Sequence, residues 1–275
     1  MKSENREQIQ KAFTQQAAGF ESGRMNFSKQ EYLDYAVSRV APRQTDDVLE
    51  VAAGTCACAR AFAPHVASVT CLDMTAAMLK VGEETARRQG LHGMRFVLGD
   101  AAELPFEAEA FDVVFSRLAF HHFPEPTRPF AEMVRVLRPG GKLVLIDMEA
   151  AQEDLRAAED ALEKLRDPSH VRSLSRAEML ALYEAHGLSV EACEVVRMPV
   201  HLDAWMQHTD TPPAAQSLIC RQMEEELSGG AKTGFSPYRR EGEILFDQKW
   251  TLCIGGSSPR MPKLNSIMTD NPVLL

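Results

Sequence analysis

Residues 48–59, VLEVAAGTCACA, constrain this chain more than any other stretch. A short apolar run carries an acid, Glu50, near its end. A turn of small residues follows, Ala52, Ala53 and Gly54, before helix-forming sequence begins. In an open α/β sheet the crevice beyond such a strand takes nucleotide-like ligands, because small residues let the ligand approach the backbone. Two later segments repeat the signature. VTCLDMT (69–75) and RFVLGDAAELPF (95–106) set Asp73 and Asp100 just after apolar runs. Neighbouring parallel strands end on one edge, so Glu50, Asp73 and Asp100 are expected to converge on one crevice.

Three carboxylates in one crevice suit a ligand with positive charge and ribose hydroxyls, and they repel a pyrophosphate. Asp73, about twenty residues beyond the turn, is placed to accept both ribose hydroxyls; otherwise it is a capping carboxylate ahead of Thr75. Met74 either covers one face of an adenine or packs in the core. S-adenosylmethionine carries a sulfonium, an ammonium and a ribose, and no phosphate. A nicotinamide dinucleotide calls for G-x-G-x-x-G, whereas Ala52 and Cys56 flank the lone Gly54 here, so an oxidoreductase is the weaker reading.

The blocks VLEVAAGTCACARAFAP, VTCLDMTAAML, MRFVLGDAAELPFEAEAFDVVFSRLAFHHFPEP and EMVRVLRPGGKLVLIDM stand in this order over residues 46–148. In that order and spacing the chain resembles the class I S-adenosylmethionine-dependent methyltransferases, in the branch of the ubiquinone and menaquinone biosynthesis enzymes. The resemblance implies Glu50 behind the methionine moiety, ionised beside a cationic ligand, with Gly54 and the carbonyls of Ala52 and Ala53 receiving the ammonium group. It also implies Asp100 on the adenine amino group and the Ala101 backbone on a ring nitrogen. Ser116 and Arg117 fall where cofactor and acceptor meet, with a surface ion pair as the other reading of Arg117.

His121 and His122, in AFHHFPEP, fall near the transferable methyl group, where a neutral imidazole can take a proton from an acceptor hydroxyl, phenol or acidic carbon. The alternative is packing on the adenosine or capping of the next helix. His170 and Arg172, in EKLRDPSHVRSLS, either reach the acceptor pocket or belong to a connector broken at Pro168. Relatives carry D-x-G-x-G-x-G in the first block; here Ala52 replaces a glycine and is expected to keep φ below zero, and Cys56 adds bulk at the helix start. The altered turn raises a second function class, a catalytically lapsed cofactor-binding or regulatory protein.

The formal net charge of -9 disfavours a nucleic-acid partner. The start, MKSENREQIQKAF, lacks the apolar core of a signal peptide, and no stretch approaches the roughly 20 apolar residues of a membrane span. Six scattered cysteines fit reduced thiols in a cytoplasmic protein. Cys56 and Cys58, without a downstream ligand pair, do not make a zinc site, and no metal is expected.

The expected fold is α/β, a Rossmann-like, mostly parallel sheet with helices on both faces. The resemblance sets seven strands, the last antiparallel, with the sixth near 188–199 and the seventh near 249–254. Helices are expected over 4–16, 28–40, 56–63, 75–89 and 126–137, with a looser segment at 17–23. The domains follow: an N-terminal helical segment (1–41), the cofactor-binding core (42–200), an insertion that is either a lid or a homodimer contact (201–247), and the last strand with an extended tail (248–275). The expected activity is methyl transfer to a small-molecule acceptor by in-line displacement.

Overall fold

The computed structural model describes residues 3–21 and 29–257. The order of elements is α1 (Ser3–Gln16), a 3-10 turn (Ala17–Gly19), α2 (Gln30–Val40), β1 (Asp47–Val51), α3 (Ala57–Phe62), β2 (Ser68–Asp73), α4 (Ala76–Arg88), β3 (Met94–Leu98) and β4 (Phe111–Arg117). There follow α5 (Thr127–Val136), β5 (Leu137–Met148), α6 (Glu153–Arg166), α7 (Arg176–Ala185), β6 (Ser189–His201), α8 (Leu202–His208), α9 (Pro213–Leu227), β7 (Tyr238–Arg240) and β8 (Glu243–Gly256).

The strands form one sheet in the order β3-β2-β1-β4-β5-β8-β6, with β7 folded back on β8 as a short hairpin. β1 to β5 pair in parallel, and β8 runs antiparallel between β5 and β6. The chain reverses between β1 and β4, so the crevice at the carboxyl ends of β1 and its neighbours is the topological switch point.

Successive side chains on a strand face opposite ways, and the two cores follow that period. Leu49, Val51, Val114, Leu143 and Leu145 pack on one face with Phe130, Met133 and Val136 of α5. Val48, Val113, Phe115, Val144 and Ile146 pack on the other with Leu33, Ala36 and Val40 of α2. In each helix the residues just named recur at three- or four-residue steps, so a single apolar stripe meets the sheet.

Three expectations about elements are corrected. The last strand begins at Glu243 and includes Gly255 and Gly256: β7 pairs its first residues and β6 pairs it from Leu245, while β5 and β6 both hold Gly255 and Gly256. The first helix after the turn covers Ala57–Phe62 instead of 56–63, and Pro64 lies in a further 3-10 turn. The helix expected over 75–89 spans Ala76–Arg88, with Thr75 at its N-cap. Beyond it the Gly90 φ of 68° lets the Leu91 N–H return to Ala86 O at 3.0 Å. The remainder of the expected tail, 258–275, and residues 22–28 lie outside the described residues.

The region after β5 builds a third cluster of its own. Leu162 of α6 packs with Trp205, Ile219, Met223, Phe235 and Phe246, which ties the insertion to the core. Cys193 and Cys253 face each other across β6 and β8 as thiols, with sulfurs 3.0 Å apart.

Candidate active site

The site begins at the turn after β1. Ala52, Gly54 and Cys56 all hold left-handed backbone, with φ of 56°, 53° and 60°. The expectation of a negative φ at Ala52 is therefore wrong. The turn imposes this conformation on alternate residues, and it is one that glycine adopts without strain. Gly54 N–H donates to Asp73 Oδ2 at 2.8 Å, and Thr75 N–H donates to Asp73 Oδ1 at 2.8 Å. One carboxylate thus stitches the ends of β1 and β2 together. Ala53 O already accepts from Cys56 N–H at 2.8 Å. The Cys56 side chain is fully buried toward α4, where a Cβ on Gly82 would come within 2.8 Å of its sulfur. It does not obstruct the crevice.

Over this turn lies a cavity of about 1290 Å³, solvent at its open mouth included. Glu50, Ala52, Ala53, Gly54, Asp73, Met74 and Ala101 line one part of it, and His121 and His122 another. Two expected residues are not brought there. Ser116 is wholly buried within the sheet, and the wall is formed instead by its successors Arg117, Leu118 and Ala119. Asp100 also stays off the wall, between Gly99 and Ala101 which are on it; its carboxylate accepts Ala102 N–H at 2.9 Å and lies 3.6 Å from Arg6 of α1.

The electrostatics of the acids differ from a simple anionic seat. Glu50 is 3% exposed and accepts Ala59 N–H at 2.9 Å; burial pushes its pKa up to about 8, against the pull of Ala59, Arg117 and Arg60. A cation in the cavity would favour its ionised form at neutral pH. Burial likewise raises Asp73, opposed by the backbone N–H groups of Gly54 and Thr75. A carboxylate offers about four acceptor sites, so Asp73, held by backbone N–H groups on both oxygens, retains capacity for a ligand hydroxyl. A Cβ built on Gly54 would meet only Phe20, at 4.0 Å, so the backbone is open to close approach by a ligand. These residues fit a ribosyl ligand that carries a cation.

Arg117 lies on the cavity wall. Its guanidinium lies 5.1 Å from the Trp250 ring centroid on the cavity wall, and desolvation pulls its pKa down against Cys58 and Glu50. Leu118 beside it holds a φ of 54°, local strain of the kind found where a wall must be shaped.

His121 and His122 stand with ring centroids 4.0 Å apart. His121 Nδ1 lies 2.7 Å from Asp147 Oδ1, and His122 Nδ1 lies 3.0 Å from Ser169 O. Burial disfavours the His121 cation, but Asp147, Glu163 and Asp167 outweigh it and raise the pKa. Burial, reinforced by His121, lowers His122 to about 3. His170 and Arg172 do not reach the cavity: His170 bonds Asp160 at 2.8 Å behind His121, and Arg172 pairs with Glu178 at 2.7 Å. From the same segment Arg166 and Asp167 do line it.

Sequence reasoning missed two contributions. Asp147 ends an apolar run, LVLID, and carries the same signal as Glu50, Asp73 and Asp100. The second is α1, which contributes Ile9, Phe13 and Gln16 to the wall, anchored by a 3.0 Å bond from Gln10 Nε2 to Met74 O. Polar helical sequence gave no sign of that role. Trp205, His208 and Thr209 of the insertion complete the wall.

Comparison with known proteins agrees with this geometry. The methyltransferase-domain family matches residues 49–145. YcgJ of Bacillus subtilis, an uncharacterized methyltransferase, is 33% identical over 194 residues, 70% of this chain and 77% of that protein. Its crystal structure superposes with a TM-score of 0.75 at 28% identity, over 84% of this chain and 99% of that one. A demethylmenaquinone methyltransferase of Clavibacter sepedonicus is 33% identical over 154 residues, 56% of this chain and 61% of its own length. The chain belongs to the class I S-adenosylmethionine-dependent methyltransferases, and S-adenosylmethionine is its cofactor.

Proposed function

We propose that the protein methylates a small, partly apolar molecule, at carbon or oxygen, inside the cavity between the first turn and the two histidines. The observation that carries this reading is the continuity of that cavity. Acids and small residues suited to an adenosyl cation share one cavity with imidazoles and aromatic side chains, leaving room for an acceptor. S-adenosylmethionine, when bound, supplies a methyl group on a reactive sulfonium. The protein then has to align the acceptor and keep water out.

In this reading Asp73 accepts the ribose hydroxyls, Met74 covers the adenine, and the Ala101 backbone meets the ring edge. The Asp100 carboxylate, held by Ala102 and facing Arg6, contributes by fixing the turn. Glu50, with the backbone of Ala52, Ala53 and Gly54, receives the cationic methionine end. His121 and His122 face the acceptor and are the candidates for proton removal. The segment 201–247 acts as a lid through Trp205 and His208. The net charge of -9 and the six free thiols support a small-molecule partner in the cytoplasm over a nucleic acid.

The test is calorimetry with S-adenosylhomocysteine on the wild type and on Asp73→Ala. The variant is expected to bind at least tenfold more weakly, about 1.4 kcal/mol, for the loss of hydrogen bonds to an acidic acceptor. Equal affinity in the two proteins means the ribose lies elsewhere.

A further inference from the structure

We propose that Cys193 and Cys253 form an oxidation site, at which a peroxide joins the two thiols into a disulfide that staples the strands flanking the insertion 201–247. The site is independent of the methyl-transfer reading above.

The geometry begins in the register of the sheet. β6 and β8 run antiparallel, and Cys193 stands opposite Cys253. Residues opposite one another send their side chains to the same face of the sheet, with Cβ atoms about 4.5–5.5 Å apart. A disulfide asks for about 3.5–4.5 Å, so the strands have little distance to close. The two sulfurs already lie 3.0 Å apart, each a free thiol. Close by, between Val190 and Ala192, the pairing of β6 with β8 shifts register. Such a shift disrupts the ladder locally, which gives the edge strand room to adjust.

Placement in the sheet sets which thiol reacts first. β6 is the last strand of the sheet, and Cys193 on it is partly buried, whereas Cys253 on the inner strand is 0% exposed. Burial, reinforced by the contact with Cys193, pushes the Cys253 thiol up and away from its thiolate form. A small oxidant therefore meets Cys193 first. The remaining cysteines do not compete for it. Cys56, Cys58 and Cys71 are at most 1% exposed. Cys220 packs against the separate cluster around Trp205, while Cys193 and Cys253 belong to the first core.

The chemistry balances with hydrogen peroxide as the oxidant. The Cys193 sulfur attacks one peroxide oxygen as the O–O bond breaks, and the other oxygen departs with the thiol proton as water, leaving a sulfenic acid. The Cys253 sulfur then attacks the Cys193 sulfur as its S–O bond breaks, and the hydroxyl departs with the second thiol proton as another water. The two thiols lose two electrons, and the peroxide gains them.

The consequence is mechanical. A bridge from 193 to 253 encloses α8, α9 and β7 within one covalent loop, which removes freedom from the unfolded chain. It also pins β8, whose Gln248 and Trp250 line the cavity.

Peptide mapping of the full chain, after treatment with hydrogen peroxide and alkylation of the remaining thiols, tests the site. The expected product is a linked pair of peptides containing Cys193 and Cys253, which a phosphine reductant separates. The melting temperature of the oxidised protein is expected to rise by at least about 4 °C and to return on reduction. Cys193→Ser and Cys253→Ser should each abolish the bridge and the rise. Absence of the bridge in the wild type, with Cys193 untouched or carried on to a sulfinic acid, overturns the assignment even if a variant does not fold. So does a bridge to another cysteine. A bridge without a rise, or a rise that survives either substitution, overturns the staple.

Discussion

Ala52 carries a side chain in a backbone conformation that suits glycine. The cost of left-handed backbone for such a residue is roughly 1–2 kcal/mol, offset in part because glycine gives the unfolded chain more freedom. Ala52→Gly is therefore expected to stabilise the protein by about 1 kcal/mol, read as a higher urea midpoint at unchanged slope. An unchanged or lower midpoint would show that the Ala52 methyl group packs well enough to cancel the strain. Glu50 has a titration consequence. Its pKa of about 8 in the free protein falls when a cation binds, so binding below pH 8 releases a proton. Affinity for S-adenosylhomocysteine should then rise between pH 6 and 8, by at most about tenfold per pH unit, and Glu50→Gln should remove that share of the slope. Calorimetry at three pH values on both proteins decides it.

Elements were legible where their pattern is local. The five parallel strands announce themselves as apolar runs ended by acids or polar residues, and α5 places Phe130, Met133 and Val136 on one stripe. What a run of residues does not contain is the closeness of its neighbour. α4 approaches the first turn so tightly that a Cβ on Gly82 would stand 2.8 Å from both Thr55 O and the Cys56 sulfur. Gly82→Ala is expected to push α4 away and cost about 1–3 kcal/mol, visible as a lower thermal midpoint, although alanine is the better helix former. A neutral or stabilising result would mean that the helix shifts freely. β8 shows the same limit in another form: its first residues are polar enough to resemble loop, and pairing with β7 and β6 makes them strand.

At the scale of the molecule, the cavity is assembled from segments far apart in the chain: the first turn, the histidine loop, the end of α6, α8 and α1. α1 joins the two halves, because Phe13 meets His122 edge-on at 5.1 Å, while Phe20 of the following turn meets His208 at 5.1 Å and stands over Gly54. Phe20→Ala is expected to weaken S-adenosylhomocysteine binding by roughly 1–2 kcal/mol through lost apolar cover, with the melting temperature of the free protein little changed. Equal affinity would place that cover outside the bound state. The sequence by itself determined the parallel sheet, the crevice at its switch point and the acids Glu50 and Asp73, because strand period and strand-end residues are local properties. Only the tertiary structure decided that Ser116 is buried away from the cavity, that Asp100 stays off its wall, that Asp147 bonds His121 and that α1 lines the cavity. Those outcomes depend on side-chain direction and on contacts between distant segments, which no local pattern encodes.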